Sequence, residues 1–310
     1  MTRVVFMGTP DFSVPVLETL IKDGYDVVGV VTQPDRPVGR KRVLTPTPVK
    51  AKALENEIPV FQPEKIKDNY DQVLAWQPDI IITAAFGQII PKILLDAPKH
   101  GCVNVHASLL PKYRGGAPIH KSIIDGEKET GVTIMYMDVK MDTGDMISKV
   151  VVPIEEQDHV GSMFEKLSVA GAALLSETLP KLLAGEIEAE PQNHEEATFA
   201  WNIKREDELI DWYKPAQQIY NQIRGLHPWP VAYTTLDDVA MKIWWGELNN
   251  TLYDAEPGSI VKIEKDGFVV ACGDHAGIKI TDVQISGKKR MDVRSLLNGT
   301  HPIEVGKKLG

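Results

Sequence analysis

Strand-like and helix-like patterns alternate along the first two thirds of this chain, and this alternation constrains its fold most strongly. Short apolar runs such as RVVFMG, YDVVGVVT, DIIITAAF and CVNVHA have the length and composition of buried strands. Segments with apolar residues at helical spacing, such as FSVPVLETLIKDG and VKAKALENE, lie between them. Strands that alternate with helices predict a mainly parallel sheet with helices on both faces. We therefore predict an α/β domain over residues 1–188.

The sequence changes character after this region. The stretch EIEAEPQNHEEATFAWN is polar and has little periodicity, so we predict an exposed linker over residues 189–205. One helical pattern follows, KPAQQIYNQIRGL. Beyond it, VAYTTL, AMKIWWGEL, GSIVKIEKDGFVVAC and IKITDVQI read as short strands with turns at KDG and GDHAG. These features predict a small antiparallel barrel or sandwich over residues 206–310.

Composition and charge exclude several classes of protein. No apolar run approaches the roughly 20 residues that a membrane helix needs, and the first residues lack the pattern of a signal peptide. We expect a cytoplasmic protein, a monomer without membrane contacts. Cys102 and Cys272 lie far apart without a CxxC partner, which favours reduced, buried thiols over a disulfide or a zinc site. The net charge of −9 lies almost entirely before Lys204, so an anionic partner must contact local basic patches.

Polar side chains stand at the end of one predicted buried strand, in the stretch NVHASLLPKYRGG. Asn104 and His106 are two residues apart, so they point to the same face of the strand. Ligands bind parallel α/β sheets at the carboxyl ends of strands, which is where this pair lies. Asp142 follows the next predicted strand, in the loop KMDTGD. Taken singly, a buried histidine, an asparagine turn cap and an Asx-turn aspartate also explain these residues.

Together the three residues favour one kind of chemistry. Asn104 supplies neutral N–H donors, His106 a donor or proton shuttle, and Asp142 a group that orients the ring and takes up a proton. Ser108 lacks the G-x-S-x-G nucleophile elbow, and neither HExxH nor a cysteine cluster predicts a metal. The set is suited to attack by an external nucleophile on a bound carbonyl, with Asn104 and His106 stabilising the oxyanion.

Two basic segments stand out from the acidic background. The loop QPDRPVGRKRVLTPTP is too long and polar for a plain connector, although a solvated basic loop is the alternative. The run Lys288-Lys289-Arg290 predicts either a phosphate contact or ordinary surface. The adjacent pair Trp244-Trp245 invites a base-stacking interpretation, but neighbours in a strand face opposite ways, so at least one belongs to the core.

The sequence also resembles a known family. NVHASLLPKYRGGAPIH followed by MDTGD resembles the signature of folate-dependent formyltransferases. MGTPDFS, VTQPDRPVGR, TAAFGQIIP and PWPVAYT match, in order, segments of the family members that act on methionyl-tRNA. The resemblance covers essentially the whole chain. It implies a Rossmann-like domain followed by an OB-like β-barrel that binds tRNA.

The resemblance assigns roles to individual residues. It implies that Asn104, His106 and Asp142 are catalytic. The residues implied for 10-formyltetrahydrofolate, the formyl donor, are Phe86, Gln88, Ile90, Ser108, Leu109, Leu110 and Pro111. The residues implied for initiator methionyl-tRNA are Arg36, Arg40, Lys41, Arg42, Lys288, Lys289 and Arg290. Formylation of a small amine such as an amino sugar nucleotide, or noncatalytic tRNA binding on the same scaffold, are the alternatives.

Overall fold

The computed structural model describes residues 1–39 and 41–310, and its elements follow the predicted alternation. The strands are β1 (Arg3–Gly8), β2 (Asp26–Val31), β3 (Arg36–Val38), β4 (Val43–Thr45), β5 (Val60–Phe61), β6 (Ile80–Ala84), β7 (Cys102–His106), β8 (Glu129–Tyr136), β9 (Met146–Pro153), β10 (Tyr233–Leu236), β11 (Val239–Asn249), β12 (Ile260–Glu264), β13 (Gly267–Ala271), β14 (Gly277–Ile285) and β15 (Met291–Asp292). The helices are α1 (Val14–Lys22), α2 (Pro48–Glu55), α3 (Asp71–Ala75), α4 (Lys92–Asp96), α5 (Pro118–Ile124), α6 (Val160–Leu183), α7 (Ala216–Gly225) and α8 (Val293–Leu297).

The first sheet has the strand order β5-β2-β1-β6-β7-β8-β9. Its strands from β5 to β7 are parallel, whereas β8 and β9 are antiparallel to their neighbours. The prediction of a mainly parallel, Rossmann-like sheet is therefore confirmed. Strand β7 lies between β6 and β8, so the predicted catalytic strand is an inner strand of the sheet.

Continuous apolar runs build the core of this sheet. Residues 4–7 of β1 and residues 80–82 of β6 are fully buried, as expected for strands covered on both faces. Helix α1 buries Val16, Leu17 and Leu20, which share one side of the helix at helical spacing. The helix ends at Lys22, and Gly24 then adopts a positive φ of 81°, a conformation that glycine tolerates at helix ends.

The chain divides into two compact units. The first contains residues 1–118, 129–153 and 164–201, and the second contains residues 119–128, 154–163 and 202–310. The second unit therefore takes two short segments from within the first part of the sequence. We predicted domains over residues 1–188 and 206–310 with a linker over 189–205, which assigns no residues before 189 to the second domain. That these ranges are the domains of the protein stays a prediction. Among the described residues, no helix is long and apolar enough to cross a membrane.

The second unit contains an antiparallel sheet of order β10-β11-β14-β13-β12, with β15 paired to β14. The prediction of antiparallel strands is confirmed, but within the described residues no ladder joins β10 to β12 to close a barrel. The C-terminal residues lie at both edges instead. Lys308 bridges to Ser259 beside β12, and Leu309 bridges to Leu236 of β10. A closed barrel would need β10 and β12 to pair with each other. Residues 308 and 309 instead make one isolated bridge to each of these two edges.

Helix α7 packs on this sheet through one apolar side. Ile219, Tyr220 and Ile223 are buried with Met241, Ile243 and other strand residues in one cluster. Complete burial of an isoleucine side chain stabilises the fold by about 1.5–3 kcal/mol. The spacing of these residues thus fixes which side of α7 faces the sheet.

Candidate active site

Asn104 lies on β7 with its amide held in one orientation. It is paired in register with Thr83 of β6 and Met135 of β8. The Thr83 hydroxyl donates to Oδ1 of Asn104 at 2.8 Å, so the oxygen is engaged and the NH₂ group points elsewhere. In the described part of the chain, Nδ2 of Asn104 makes no hydrogen bond, which leaves both its protons for a ligand.

His106 ends the same strand and is only 6% exposed. Its Nε2 lies 3.0 Å from the carbonyl oxygen of Tyr113. A carbonyl accepts but does not donate, so Nε2 carries a proton and donates it there. Nδ1 is consequently the ring atom that remains for chemistry. It lies 3.9 Å from Oδ1 of Asp142, within ion-pair distance.

Asp142 reaches His106 through a loop rather than through a strand end. Strand β8 is antiparallel to β7, so its carboxyl end lies beside Val103 and not beside His106. The loop of residues 137–145 must turn back, and Asp142 has a positive φ of 52° within it. Its Oδ2 accepts a hydrogen bond from the Gly115 amide at 2.8 Å. This contact ties the loop after β8 to the loop after β7.

Two buried polar residues that the sequence did not single out support this loop. Gln192 donates to the carbonyl oxygens of Asp142 and Gly144, at 2.9 and 2.7 Å. Its Oε1 accepts from Nε and Nη2 of Arg114, at 3.0 and 2.7 Å. Burial lowers the pKa of Arg114, and the nearby Asp142 carboxylate opposes that shift. Gln192 lies within the predicted linker, where a lone glutamine gives no periodic signal.

The turn SLLP after β7 is fixed by hydrogen bonds of its own. Ser108 is fully buried, and its hydroxyl donates to the Lys112 carbonyl at 2.7 Å. The Thr133 hydroxyl donates to the Ser108 carbonyl and accepts from the Leu110 amide. Leu110 is buried, whereas Leu109 and Pro111 are half-buried. These contacts leave Leu109 and Pro111 as the accessible side chains of the turn.

The loop after β6 contains the other residues implied for folate. Phe86 and Ile90 are buried in the core of the first unit. The Gln88 side chain accepts from the Ile66 amide at 2.7 Å and donates to Gln33 Oε1 at 3.1 Å. These three side chains therefore hold the loop in shape. Ile89, between them, is 83% exposed.

The basic loop forms an exposed hairpin rather than an irregular connector. Strands β3 and β4 pair antiparallel, with Val38 opposite Val43. Arg36 forms an exposed ion pair with Glu64 at 2.6 Å, and Lys41 and Arg42 are exposed near the tip. Arg40 lies outside the described residues. Apolar side chains with more than half of their surface exposed accompany these charges: Val38, Val43 and Leu44.

The basic run of the second unit is only partly available to a partner. Lys288 and Lys289 are exposed. Arg290 makes a bidentate ion pair with Asp282, and its guanidinium lies 4.2 Å from the centre of the Trp244 ring. Trp244 is thus covered by a cation of its own chain.

Trp245 was the other candidate for base stacking. It is half-buried and packs edge-to-face against His159, His227 and Tyr220. Because Trp244 is also half-buried, neither ring is a fully buried core residue, and each already packs against side chains of its own chain.

Comparison with known proteins identifies the family. The Formyl transferase family matches residues 2–179, and the Formyl transferase, C-terminal domain family matches residues 202–301. Methionyl-tRNA formyltransferases from Bacillus thuringiensis subsp. konkukian (strain 97-27) and Bacillus mycoides (strain KBAB4) are each 62% identical over 312 residues, which cover 100% of this chain and 99% of theirs. The chain belongs to the methionyl-tRNA formyltransferase family. The resemblance inferred from the sequence is confirmed.

Solved structures of other proteins share the fold. An N-formyltransferase from Helicobacter canadensis in complex with folinic acid and dTDP-3-aminofucose has a TM-score of 0.68 at 22% identity, covering 90% of this chain and 99% of that one. HypX from Aquifex aeolicus in complex with tetrahydrofolic acid has a TM-score of 0.65 at 16% identity, covering 99% of this chain and 50% of that one. At these identities the likeness concerns the fold alone.

Proposed function

We propose that this formyltransferase transfers the formyl group of 10-formyltetrahydrofolate to the α-amino group of initiator methionyl-tRNA. The product, N-formylmethionyl-tRNA, serves translation initiation. The observation that carries the proposal is that Asn104 and His106 lie on one face of β7 with Asp142 beside His106, in a chain 62% identical to methionyl-tRNA formyltransferases. We also propose a separate task for each of the three side chains.

Asn104 stabilises the oxyanion. When the amine attacks the formyl carbon, the carbonyl oxygen becomes negative. The Nδ2 protons of Asn104 are free in the described structure, and the Thr83 hydroxyl keeps the amide from turning its oxygen toward that charge. A donor fixed in this way loses little by reorganisation during the reaction. Such a donor contributes about 2.7–4 kcal/mol to the stability of the transition state.

His106 moves the proton at Nδ1. Its Nε2 proton is committed to the Tyr113 carbonyl, so a neutral ring offers a lone pair at Nδ1. We assign to this atom the proton that the attacking amine loses. The resulting imidazolium N–H then donates to the oxyanion beside Asn104. Asp142, at 3.9 Å, provides the negative charge that accompanies the imidazolium.

The steps balance in protons and electrons. The lone pair of the amine forms the new C–N bond, and the amine releases one proton to His106. The tetrahedral intermediate collapses, and the bond between the formyl carbon and N10 of the folate breaks. N10 takes the electron pair of that bond and the proton from His106, which gives neutral tetrahydrofolate. The α-amine has a pKa of about 7.7–8.0 in ordinary chains, so a substantial neutral fraction is available to attack.

The folate site lies along the loops after β6 and β7. Phe86, Gln88 and Ile90 hold the first loop, and Ser108 and Leu110 hold the second. We assign the contacts with the pterin to the backbone of the first loop. Leu109 and Pro111 are the accessible side chains that border the donor in the second loop.

The tRNA contacts fall on exposed positive charge in an acidic chain. The hairpin of β3 and β4 combines basic residues with exposed apolar side chains, which suits insertion against an RNA end. Arg40, which lies outside the described residues, is proposed from the sequence alone. In the second unit, Lys288 and Lys289 are exposed, whereas Arg290 is held by Asp282. We therefore assign the stronger phosphate contacts of that run to the two lysines.

The test is a formyl-transfer assay with purified protein and three acceptors: methionyl initiator tRNA, uncharged tRNA and a dTDP-amino sugar. We expect product with methionyl-tRNA alone, detected as N-formylmethionine after hydrolysis of the ester. Transfer to the amino sugar but not to methionyl-tRNA would assign the small-amine function. Binding of tRNA without transfer to any acceptor would assign a noncatalytic role.

A further inference from the structure

The segment predicted as a linker is partly built into the first unit. Glu190 pairs with Met146 at the start of β9, and Phe199 pairs with Arg114 in the loop after β7. The Thr198 hydroxyl accepts from the Tyr113 amide at 2.9 Å, and the carbonyl of Tyr113 in turn holds His106. Residues 190–200, named here the strap, therefore contact both loops that carry the proposed catalytic groups.

Gln192 is the buried polar side chain at the centre of the strap. It is 5% exposed, and its side-chain amide bonds to residues of the loops after β7 and β8. Its NH₂ group donates to the carbonyls of Asp142 and Gly144, which flank the turn of the catalytic aspartate. Its oxygen accepts two hydrogen bonds from Arg114. One amide thus connects the Asp142 turn to Arg114 in the loop after β7.

Arg114 fixes the orientation of that amide. Its fork-shaped guanidinium presents two N–H groups to one acceptor, so Oε1 of Gln192 faces Arg114 and the NH₂ group faces the Asp142 turn. Nη2 of Arg114 also lies 2.9 Å from Nδ1 of His194, another residue of the strap. Because a guanidinium only donates, the oxygen of the Gln192 amide must face Arg114 and its NH₂ group must face the other way.

Backbone geometry shows why the turn needs a clamp. Asp142 has a φ of 52°, which is uncommon for a residue with a side chain. At Gly144 a Cβ atom would collide with the Tyr136 carbonyl, so the turn lies tightly against β8. A turn in this conformation persists when surrounding contacts over-determine it. The two hydrogen bonds from Gln192 are such contacts.

We infer that Gln192, oriented by Arg114, is a positioning residue that holds the Asp142 carboxylate at the distance from His106 that formyl transfer requires. The inference rests on the proposed function of Asp142. It assigns to the strap a task in the chemical step, in addition to joining two parts of the chain. A purely structural role would instead affect folding without a specific dependence on Asp142.

The decisive variant is Gln192→Glu in the full-length protein. A glutamate keeps the size and the acceptor facing Arg114 but turns lone pairs toward two carbonyl oxygens, so the Asp142 turn must shift. We expect kcat to fall on the order of 10²-fold, as for a misplacement of about 1 Å, with KM for the folate changed less than about twofold. The matched control is Glu195→Gln, the reverse exchange at an exposed position of the strap, which should leave kcat unchanged.

A double-mutant cycle with Asp142→Ala separates positioning from other roles. If Gln192 acts through Asp142, adding Gln192→Glu to the Asp142→Ala protein should lower kcat by less than about threefold. An equal loss in both backgrounds, or no loss in the single variant, would overturn the inference while leaving the role of Asp142 intact. Near-normal turnover of Asp142→Ala would instead overturn the proposed function of Asp142, and the inference with it.

Folding of the variants is measured in parallel. If Gln192→Glu lowers the thermal midpoint through its buried charge, Gln192→Met provides a second test, because it removes both donations, together with the acceptor for Arg114, without adding a charge. A loss of kcat in Gln192→Met with a normal midpoint supports positioning. Normal kcat in a folded Gln192→Met protein would overturn it.

Discussion

Replacing Asn104 by alanine tests the oxyanion assignment most clearly. The change removes the free Nδ2 donors, and a single preorganised donor is worth about 2.7–4 kcal/mol, or 10²–10³ in kcat. The cost to stability is small, because the Thr83 hydroxyl keeps a second acceptor, the Val103 carbonyl at 3.3 Å. We expect the free energy of unfolding to fall by less than about 1.5 kcal/mol.

The assay is steady-state formyl transfer with each substrate varied in turn, together with thermal unfolding. KM for the folate should change little, since the donor acts in the transition state. Thr83→Val is the matched variant, because it keeps the amide and removes the hydroxyl that orients it. Its kcat should lie between those of the wild type and Asn104→Ala. For Asn104→Ala, a kcat within about threefold of the wild-type value would refute this role. A change of that size can come from measurement error or from small effects on the fold.

Three further predictions concern other parts of the chain. Burial raises the pKa of the Cys102 and Cys272 thiols to about 12, so both should stay protonated at pH 8. They should react with a thiol reagent only after denaturation, and fast labelling of the native protein would contradict this. A chain ending at residue 201 should melt below the full-length protein and bind a hydrophobic dye, because Ile124 packs against the core of the second unit. A native-like melt would show that this packing is dispensable. Lys289→Ala should lower the slope of log K for tRNA binding against log salt concentration by about one. Arg290→Ala should lower this slope less, because the charge of Arg290 is paired with Asp282. Equal slopes for the two variants would show that the ion pair opens on binding.

Local sequence patterns predict the sheet because its strands are continuous apolar runs. β1, β2, β6 and β7 are recognisable from composition and length, and the period of a strand places Asn104 and His106 on one face. The second sheet has the predicted antiparallel strands, but how its two edges are covered does not follow from their patterns. Residues 308 and 309 bridge to the two edges of this sheet, beside β12 and at β10. The sequence patterns of the strands do not predict a contact with residues so far along the chain.

The remaining parts of the site depend on contacts between distant residues. The strand-end rule does not place Asp142, since β8 is antiparallel and its loop turns back toward Gly115. Gln192 lies 50 residues from Asp142 and 78 from Arg114 in sequence. A glutamine among exposed polar residues looks like surface until its partners are known. Its burial is a property of the assembled loops rather than of its own segment.

The central claim is that the side chains at the end of β7 carry out the chemical step. Its most direct test is the single-turnover rate of formyl transfer, with enzyme in excess over methionyl-tRNA and saturating folate, for the wild type and His106→Ala. The account predicts a rate lowered about 10²–10⁴-fold, the usual contribution of positioned proton transfer, with equilibrium folate binding unchanged. A single-turnover rate equal to that of the wild type would contradict the account, because the proton of the amine would then leave by a route that does not involve His106.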